Sequence, residues 1–166
     1  RTGFGAGLFE EWRDDPAFVL NRPEYDGAGI LVAGPRFGTG SSREHAVWAL
    51  VDYGFRAVVS SRFGDIFRHN APRSGLIPAE VDEDVAEALM AAVREDPRLE
   101  VVLDVERLVL SAEEAHIHAS FRLDDDARHR LLEGLDDIGL TLLHEEEIAA
   151  YEGRRAAWLP SVAGRG

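Results

Sequence analysis

Apolar residues fall along this chain in two rhythms. In the first half they come as short unbroken runs, Ile30-Leu31-Val32-Ala33 and the Ala57-Val58-Val59 at the centre of Arg56 to Ser60, the texture of strands covered on both faces. Between the runs, Ser41 with Glu44 three residues on has the form of a capping box, and Ala46-Val47-Trp48-Ala49-Leu50-Val51 continues as a helix that Gly54 ends. Strand, helix and strand make a βαβ unit, which predicts two parallel strands joined by a right-handed crossover. Asp65 to Asn70 suits another short helix, and Gly75-Leu76-Ile77-Pro78 a brief return to the sheet.

From Asp82 to Arg94 the spacing of Val85, Leu89, Ala92 and Val93 predicts a helix with one apolar face. Period two then takes over: Val101-Leu103-Val105, Leu108-Leu110 and Ala115-Ile117-Ala119-Phe121 alternate with polar partners, with Ala112-Glu113-Glu114 as a turn, and read as antiparallel strands. Asp125 to Leu135 and His144 to Tyr151 suit helices separated by Gly139. The expected fold is therefore α/β, a parallel βαβ core with additional antiparallel strands. Residues 1–28 are expected to form a loop-rich arm with a helical turn or two, residues 29–160 the domain, and residues 161–166 a frayed tail.

Composition narrows the chemistry. At 166 residues and 45% hydrophobic, one domain is the default, burying about two-thirds of its unfolded surface. The absence of cysteine excludes a disulfide scaffold, a thiolate nucleophile, cysteine zinc sites and an iron–sulfur cluster held by this chain alone. With 18 basic against 31 acidic residues the net charge is −13, a field of the wrong sign for nucleic acid or an anionic membrane surface. No apolar run approaches the roughly 20 residues that span a bilayer, and Arg1-Thr2-Gly3-Phe4-Gly5 lacks the apolar core of a signal peptide. The expected compartment is the cytoplasm. Because the first residue is Arg rather than Met, a segment preceding it is expected.

Polar groups are densest in Gly38-Thr39-Gly40-Ser41-Ser42-Arg43-Glu44-His45, between a buried strand and a helix start. Ligands of open α/β sheets favour that place. Glycines 38 and 40 allow close backbone approach, and the first amides of a helix make an anion site. No Gly-Lys-Ser/Thr ending is present, so a carboxylate suits the loop better than a nucleotide phosphate. Arg43 in a first helical turn would oppose the macrodipole at a cost of about 0.3–1 kcal/mol, which a bidentate grip on a carboxylate would offset. An ordinary capped helix, with Glu44 bonded back to Ser41 and Arg43 in water, fits the same spacing.

The run Phe37-Gly38-Thr39-Gly40-Ser41-Ser42-Arg43-Glu44-His45-Ala46 resembles the signature of the mobile swivel domain of the aconitase superfamily. Ser61-Arg62-Phe63-Gly64-Asp65-Ile66-Phe67-Arg68-His69-Asn70, followed by Gly75-Leu76-Ile77-Pro78, is similar to that family's next block, and Leu132-Glu133-Gly134-Leu135-Asp136-Asp137-Ile138 to the chain end of the small subunits of bacterial 3-isopropylmalate dehydratase. The resemblance, which runs to about Pro160, implies a swivelling β/β/α domain. It implies a dehydration and rehydration that converts 2-isopropylmalate to 3-isopropylmalate in leucine synthesis. A large-subunit partner would hold a [4Fe-4S] cluster, and this chain would bind no cofactor or metal. By the same resemblance Ser41 is the catalytic base, and Ser42, Arg43, Gly40 and Thr39 contact a small dicarboxylate hydroxy acid. Arg62, His69 and Asn70 could line the same cleft. Many relatives carry Cys where this chain has Thr39. The motif and loop that read the substrate's side group would precede the chain, with Arg1 to Trp12 as the remnant of that region. A sister enzyme acting on homoaconitate, citraconate or dimethylmalate, or a carboxylate-binding module without catalysis, would share these residues.

Other clusters have plainer readings. His116-Ile117-His118 could place two imidazoles on one strand face, with no third ligand placed by the sequence. Asp124-Asp125-Asp126 and Glu145-Glu146-Glu147 stand where acidic residues cap helices and complement their dipoles. Trp12, Trp48 and Trp158 are expected to pack rather than to stack on bases.

Overall fold

The computed structural model describes residues 5–40 and 45–134. Its arm carries three 3-10 turns, Gly5–Gly7, Val19–Asn21 and Pro23–Tyr25, and one short helix, α1 (Glu10–Arg13). The arm is anchored: Leu8 is buried, and the Gly5 N–H donates to the Asp52 carboxylate at 2.8 Å.

The two unbroken apolar runs become β1 (Ile30–Val32) and β2 (Ala57–Ser60), parallel, with Leu31 opposite Val58. Between them lies α2 (His45–Tyr53). Beyond β2, α3 (Asp65–Asn70) leads to β3 (Ile77–Glu80), again parallel to β2, with Val58 opposite Pro78. β2 is the central strand and is buried throughout; β1 is an outer strand and only half-buried, less covered than its composition suggests. Pro78 is tolerated in β3 because Ile77 donates its N–H to Arg56 at 3.0 Å, so alternation turns the proline nitrogen away from β2. On that far side Glu80 and Arg122 exchange backbone hydrogen bonds. The guanidinium of Arg122 also reaches Asp82 at 2.7 Å and Glu80 at 3.2 Å, and these carboxylates hold it charged by raising its pKa.

The second half follows its own rhythm. α4 (Glu83–Glu95) starts with Glu83 and Asp84 and carries Arg94 in its last turn, both complementary to its dipole. An antiparallel sheet, β4 (Val102–Asp104), β5 (Val109–Ala112) and β6 (Ile117–Ser120), comes next. α5 (Asp125–Glu133) is capped by Asp124, which accepts the Ala127 N–H at 2.8 Å, and ends at Gly134 with φ 63°. The strands are shorter than their alternation predicts. Leu108 (φ 57°) closes the β4–β5 connection, Ala115 belongs to the 3-10 turn Glu113–Ala115, and His116 (φ 54°) follows it. Reversing a strand within a few residues requires such left-handed positions.

Successive residues of β2 point to opposite layers. Val58 joins Val47, Leu50, Phe55, Phe67 and Leu76 against α2 and α3. Val59 joins Ala79, Leu89, Leu110 and Phe121 between the parallel sheet, α4 and the antiparallel sheet. The expected cap at Ser41 and Glu44, the helix from His144 to Tyr151, the last residue of the helix expected to end at Leu135, the Glu145-Glu146-Glu147 run, Trp158 and the tail all lie outside the described residues.

Leu89 has no exposed surface, so Leu89→Ala should lower unfolding free energy by about 2–5 kcal/mol. Val102 is 52% exposed, and Val102→Ala should stay within about 0.5 kcal/mol. Urea titrations of the two variants check the contrast.

Candidate active site

Both β1 and β2 end in loops that close on each other. The hydroxyl of the fully buried Ser60 lies 2.8 Å from the Gly34 carbonyl and 2.9 Å from that of Arg62, donating its proton to one at a time, and accepts the Arg62 N–H at 3.3 Å. Phe37 donates its N–H to the Arg62 carbonyl at 3.1 Å, and Gly64 donates to Phe37 at 2.8 Å. Behind these bonds Phe67 meets Phe37 edge-on at 5.2 Å and stacks on Phe63 at 5.7 Å.

This approach leaves no room for β-carbons. One added at Gly38, where φ is 78°, would lie 2.5 Å from the Phe67 ring; one at Gly64 would lie 2.9 Å from the Gly38 carbonyl oxygen. Glycine is required at both places, for space and, at Gly38, for conformation as well.

The loops border an open cavity of about 520 Å³ lined by Arg36, Gly38, Thr39, Arg62, Gly64 and Asp65 among others. A neighbouring cavity of about 840 Å³ runs from Thr39 and Gly40 along His45 to Phe9 and Trp12. Both lie at the carboxyl ends of parallel strands, where α/β sheets bind ligands. The structure thus brings Thr39 and Arg62 together and places Gly40 beside them. His69 and Asn70 sit on α3 and are not among the residues lining either cavity. Ser41, Ser42 and Arg43 lie outside the described residues; in the chain they connect Gly40 to α2. Sequence reading passed over Ser60, Gly64 and Arg36. A single polar residue ending an apolar strand was the available sign for Ser60; Arg36, left-handed at φ 63°, had none.

The chain matches the profile of the aconitase C-terminal domain over residues 2–84, and over residues 137–165 that of the C-terminal domain of the 3-isopropylmalate dehydratase small subunit. It is 61% identical over 164 residues to the 3-isopropylmalate dehydratase small subunit of Parafrankia sp. (strain EAN1pec), an alignment spanning 98% of this chain and 83% of the relative. The chain belongs to the family of 3-isopropylmalate dehydratase small subunits. Another member, from Streptomyces coelicolor, is 56% identical over 98% of this chain and 81% of its own length. The crystal structure of 3-isopropylmalate dehydratase from Methanocaldococcus jannaschii superimposes with a TM-score of 0.53 at 25% identity, covering 75% of this chain and 68% of that one.

Family membership gives the other clusters their place. His116 precedes β6 in a left-handed conformation, so it does not share strand alternation with His118, and both side chains are exposed. Among the described residues no group of three or more His, Cys, Asp or Glu is arranged to hold a metal ion, and the chain has no cysteine. These donors do not fit an iron–sulfur cluster. Trp12 is 59% exposed, stacking on Phe9 at 5.4 Å rather than entering the core; Trp48 is half-buried against His45 at 5.0 Å. Among the described residues no helix is long and apolar enough to cross a membrane.

Ser60→Ala should cost about 1–3 kcal/mol, because buried backbone groups lose a partner. Gly38→Ala should cost more than Gly34→Ala, since a β-carbon at Gly34 meets nothing within 4 Å among the described residues. Denaturant midpoints of the three variants order these costs.

Proposed function

We propose that this chain, with a large subunit, interconverts 2-isopropylmalate and 3-isopropylmalate by removing and re-adding water in leucine biosynthesis, in the cytoplasm. The observation that carries this reading is the glycine loop from Phe37 to Gly40 at the carboxyl end of β1, interlocked with the loop after β2 and followed in the chain by Ser41-Ser42-Arg43. The names of relatives at 55–61% identity support the substrate, and the words "small subunit" in those names support a partner.

In this reading Arg43 grips the carboxylate next to the carbon that loses its proton. Charge grows on that carboxylate as the proton leaves, so a bidentate guanidinium binds the transition state more tightly than the ground state. Ser41 takes the proton and Ser42 contacts the substrate or its developing oxyanion. A serine hydroxyl is a weak acid, and its use as a base requires strong positive potential around it. Thr39 and Gly40 let the substrate approach the backbone, and His69 and Asn70 stand on α3, off the walls of the two cavities. A [4Fe-4S] cluster on the large subunit would supply the site for the departing hydroxyl.

Mixing the chain with a cluster-loaded large subunit and assaying 2-isopropylmalate beside homoaconitate, citraconate and dimethylmalate tests the reading; turnover of isopropylmalate is expected to dominate. Arg43→Lys should lower turnover by about a hundredfold, since lysine keeps the charge without the fork. Ser41→Ala should abolish exchange of the substrate's α-hydrogen with solvent, a loss of about 10²–10⁴, while the subunits still assemble. Exchange at the wild-type rate in Ser41→Ala would assign the base elsewhere.

A further inference from the structure

Among the described residues five large apolar side chains are exposed: Trp12, Val19, Ile66, Val102 and Leu132. Apolar residues scattered singly on a surface need no explanation. Two of these, however, stand at one place. Trp12, 59% exposed, lines the cavity of about 840 Å³, and Ile66, 50% exposed, lines that of about 520 Å³. Arg36, Gly38 and Thr39 line both cavities, so the two side chains border the same glycine turn.

Neither is loose. Trp12 stacks on Phe9 at 5.4 Å and meets Phe18 edge-on at 5.7 Å, and Phe9 packs against the core that holds Val47 and Leu50. Ile66 precedes Phe67, whose buried ring backs Gly38. An aromatic side chain held in place beforehand loses little entropy when a partner covers it, one reason tryptophan recurs at the centre of interfaces. Carboxylates crowd both residues: Glu10, Glu11, Asp14 and Asp15, all within three positions of Trp12, are exposed, and so is Asp65 beside Ile66.

We propose that Trp12 and Ile66 anchor the large subunit over this mouth, on a face that offers apolar pockets ringed by basic groups. The inference rests on the function proposed above. What covers the two side chains follows from its chemistry. This chain has no cysteine and, among the described residues, no group of three metal donors, so a dehydration that uses a cluster has to bring the cluster's subunit up to the cavities at the carboxyl ends of β1 and β2. The rim of those cavities is then where the two subunits meet. A second copy of this chain is the poorer occupant, since it would press the same acidic collar and the same net charge of −13 against its like.

The test titrates the cluster-loaded large subunit with the full chain, without substrate, and reads the dissociation constant. Trp12→Ser should weaken binding about tenfold or more and Ile66→Ser about threefold or more, with Trp12→Phe losing less than Trp12→Ser. Ile66→Ser, on α3 and apart from the aromatic cluster of the arm, keeps the test open should Trp12→Ser unsettle the arm. Val102→Ser, which alters an exposed residue away from both cavities, should bind as wild type. Glu10→Gln with Glu11→Gln should slow association and flatten its fall with added salt. Turnover lost by the Trp12 and Ile66 variants at one concentration of large subunit should return as that subunit is added in excess. Unchanged dissociation constants in Trp12→Ser and Ile66→Ser would overturn the proposal. So would turnover that stays low at saturating large subunit with unchanged binding, which would assign the two side chains to the substrate, and so would self-association of the chain through them while the variants bind the large subunit normally. A wild-type chain that forms no complex with the large subunit would overturn the function proposed above and this inference with it; equal binding by wild type and variants overturns this inference alone.

Discussion

The site depends on one close approach, that of the loop after β1 to the loop after β2. Parallel strands deliver their carboxyl ends side by side, but the backbone groups beyond the last ladder bond have no partners unless the loops supply them. Ser60 supplies them from inside. Its hydroxyl, wholly buried, serves the Gly34 and Arg62 backbones at once, and the bonds between Phe37, Arg62 and Gly64 extend the pairing past the strands. Without side chains at Gly38 and Gly64 the loops come near enough for this; with them they could not.

That approach fixes what the chain can present to a ligand. Thr39, Arg36 and Arg62 are carried on backbone that is bonded within the two loops, so their positions follow from the sheet rather than from a free loop. Preorganised groups lose less entropy when they bind, and held donors stabilise developing charge without first having to turn toward it. Phe67 sets the depth of the turn: its ring backs Gly38 on one side and stacks on Phe63 on the other. The aromatic packing and the glycine requirement are two sides of one contact.

Much of this was legible in the residues. Unbroken apolar runs gave parallel strands, alternation gave the antiparallel sheet, Gly54 ended a helix, and Asp124 capped one. The glycine loop and the second block stood out because both carry residues with a defined chemical use. What was not legible depended on neighbours distant in the chain. Gly64 reads as an ordinary helix-entry residue until Gly38 is set against it. Ser60 reads as a strand end until two loops converge on its hydroxyl. β1 looks as buried as β2 by composition, and only strand order separates the outer strand from the central one. Turn positions such as Leu108 and His116 escaped because their left-handed conformations are imposed by the reversal of the chain, not preferred by those side chains.

The charge of the chain sharpens the role proposed for Arg43. A net charge of −13 repels a dicarboxylate at long range, where the field is also weakened by salt over about 8–10 Å. Attraction must then be local, made of short bonds. Arginine suits this because its fork gains most of its binding at contact distance and it stays charged at every accessible pH. It also matters that the carboxylates nearby are already engaged or turned outward. Asp82 and Glu80 are held by Arg122, and Asp65 faces solvent beside Arg68. Arg36 and Arg62 thus stand on a cavity wall whose one carboxylate, among the described residues, is that of Asp65, turned to solvent.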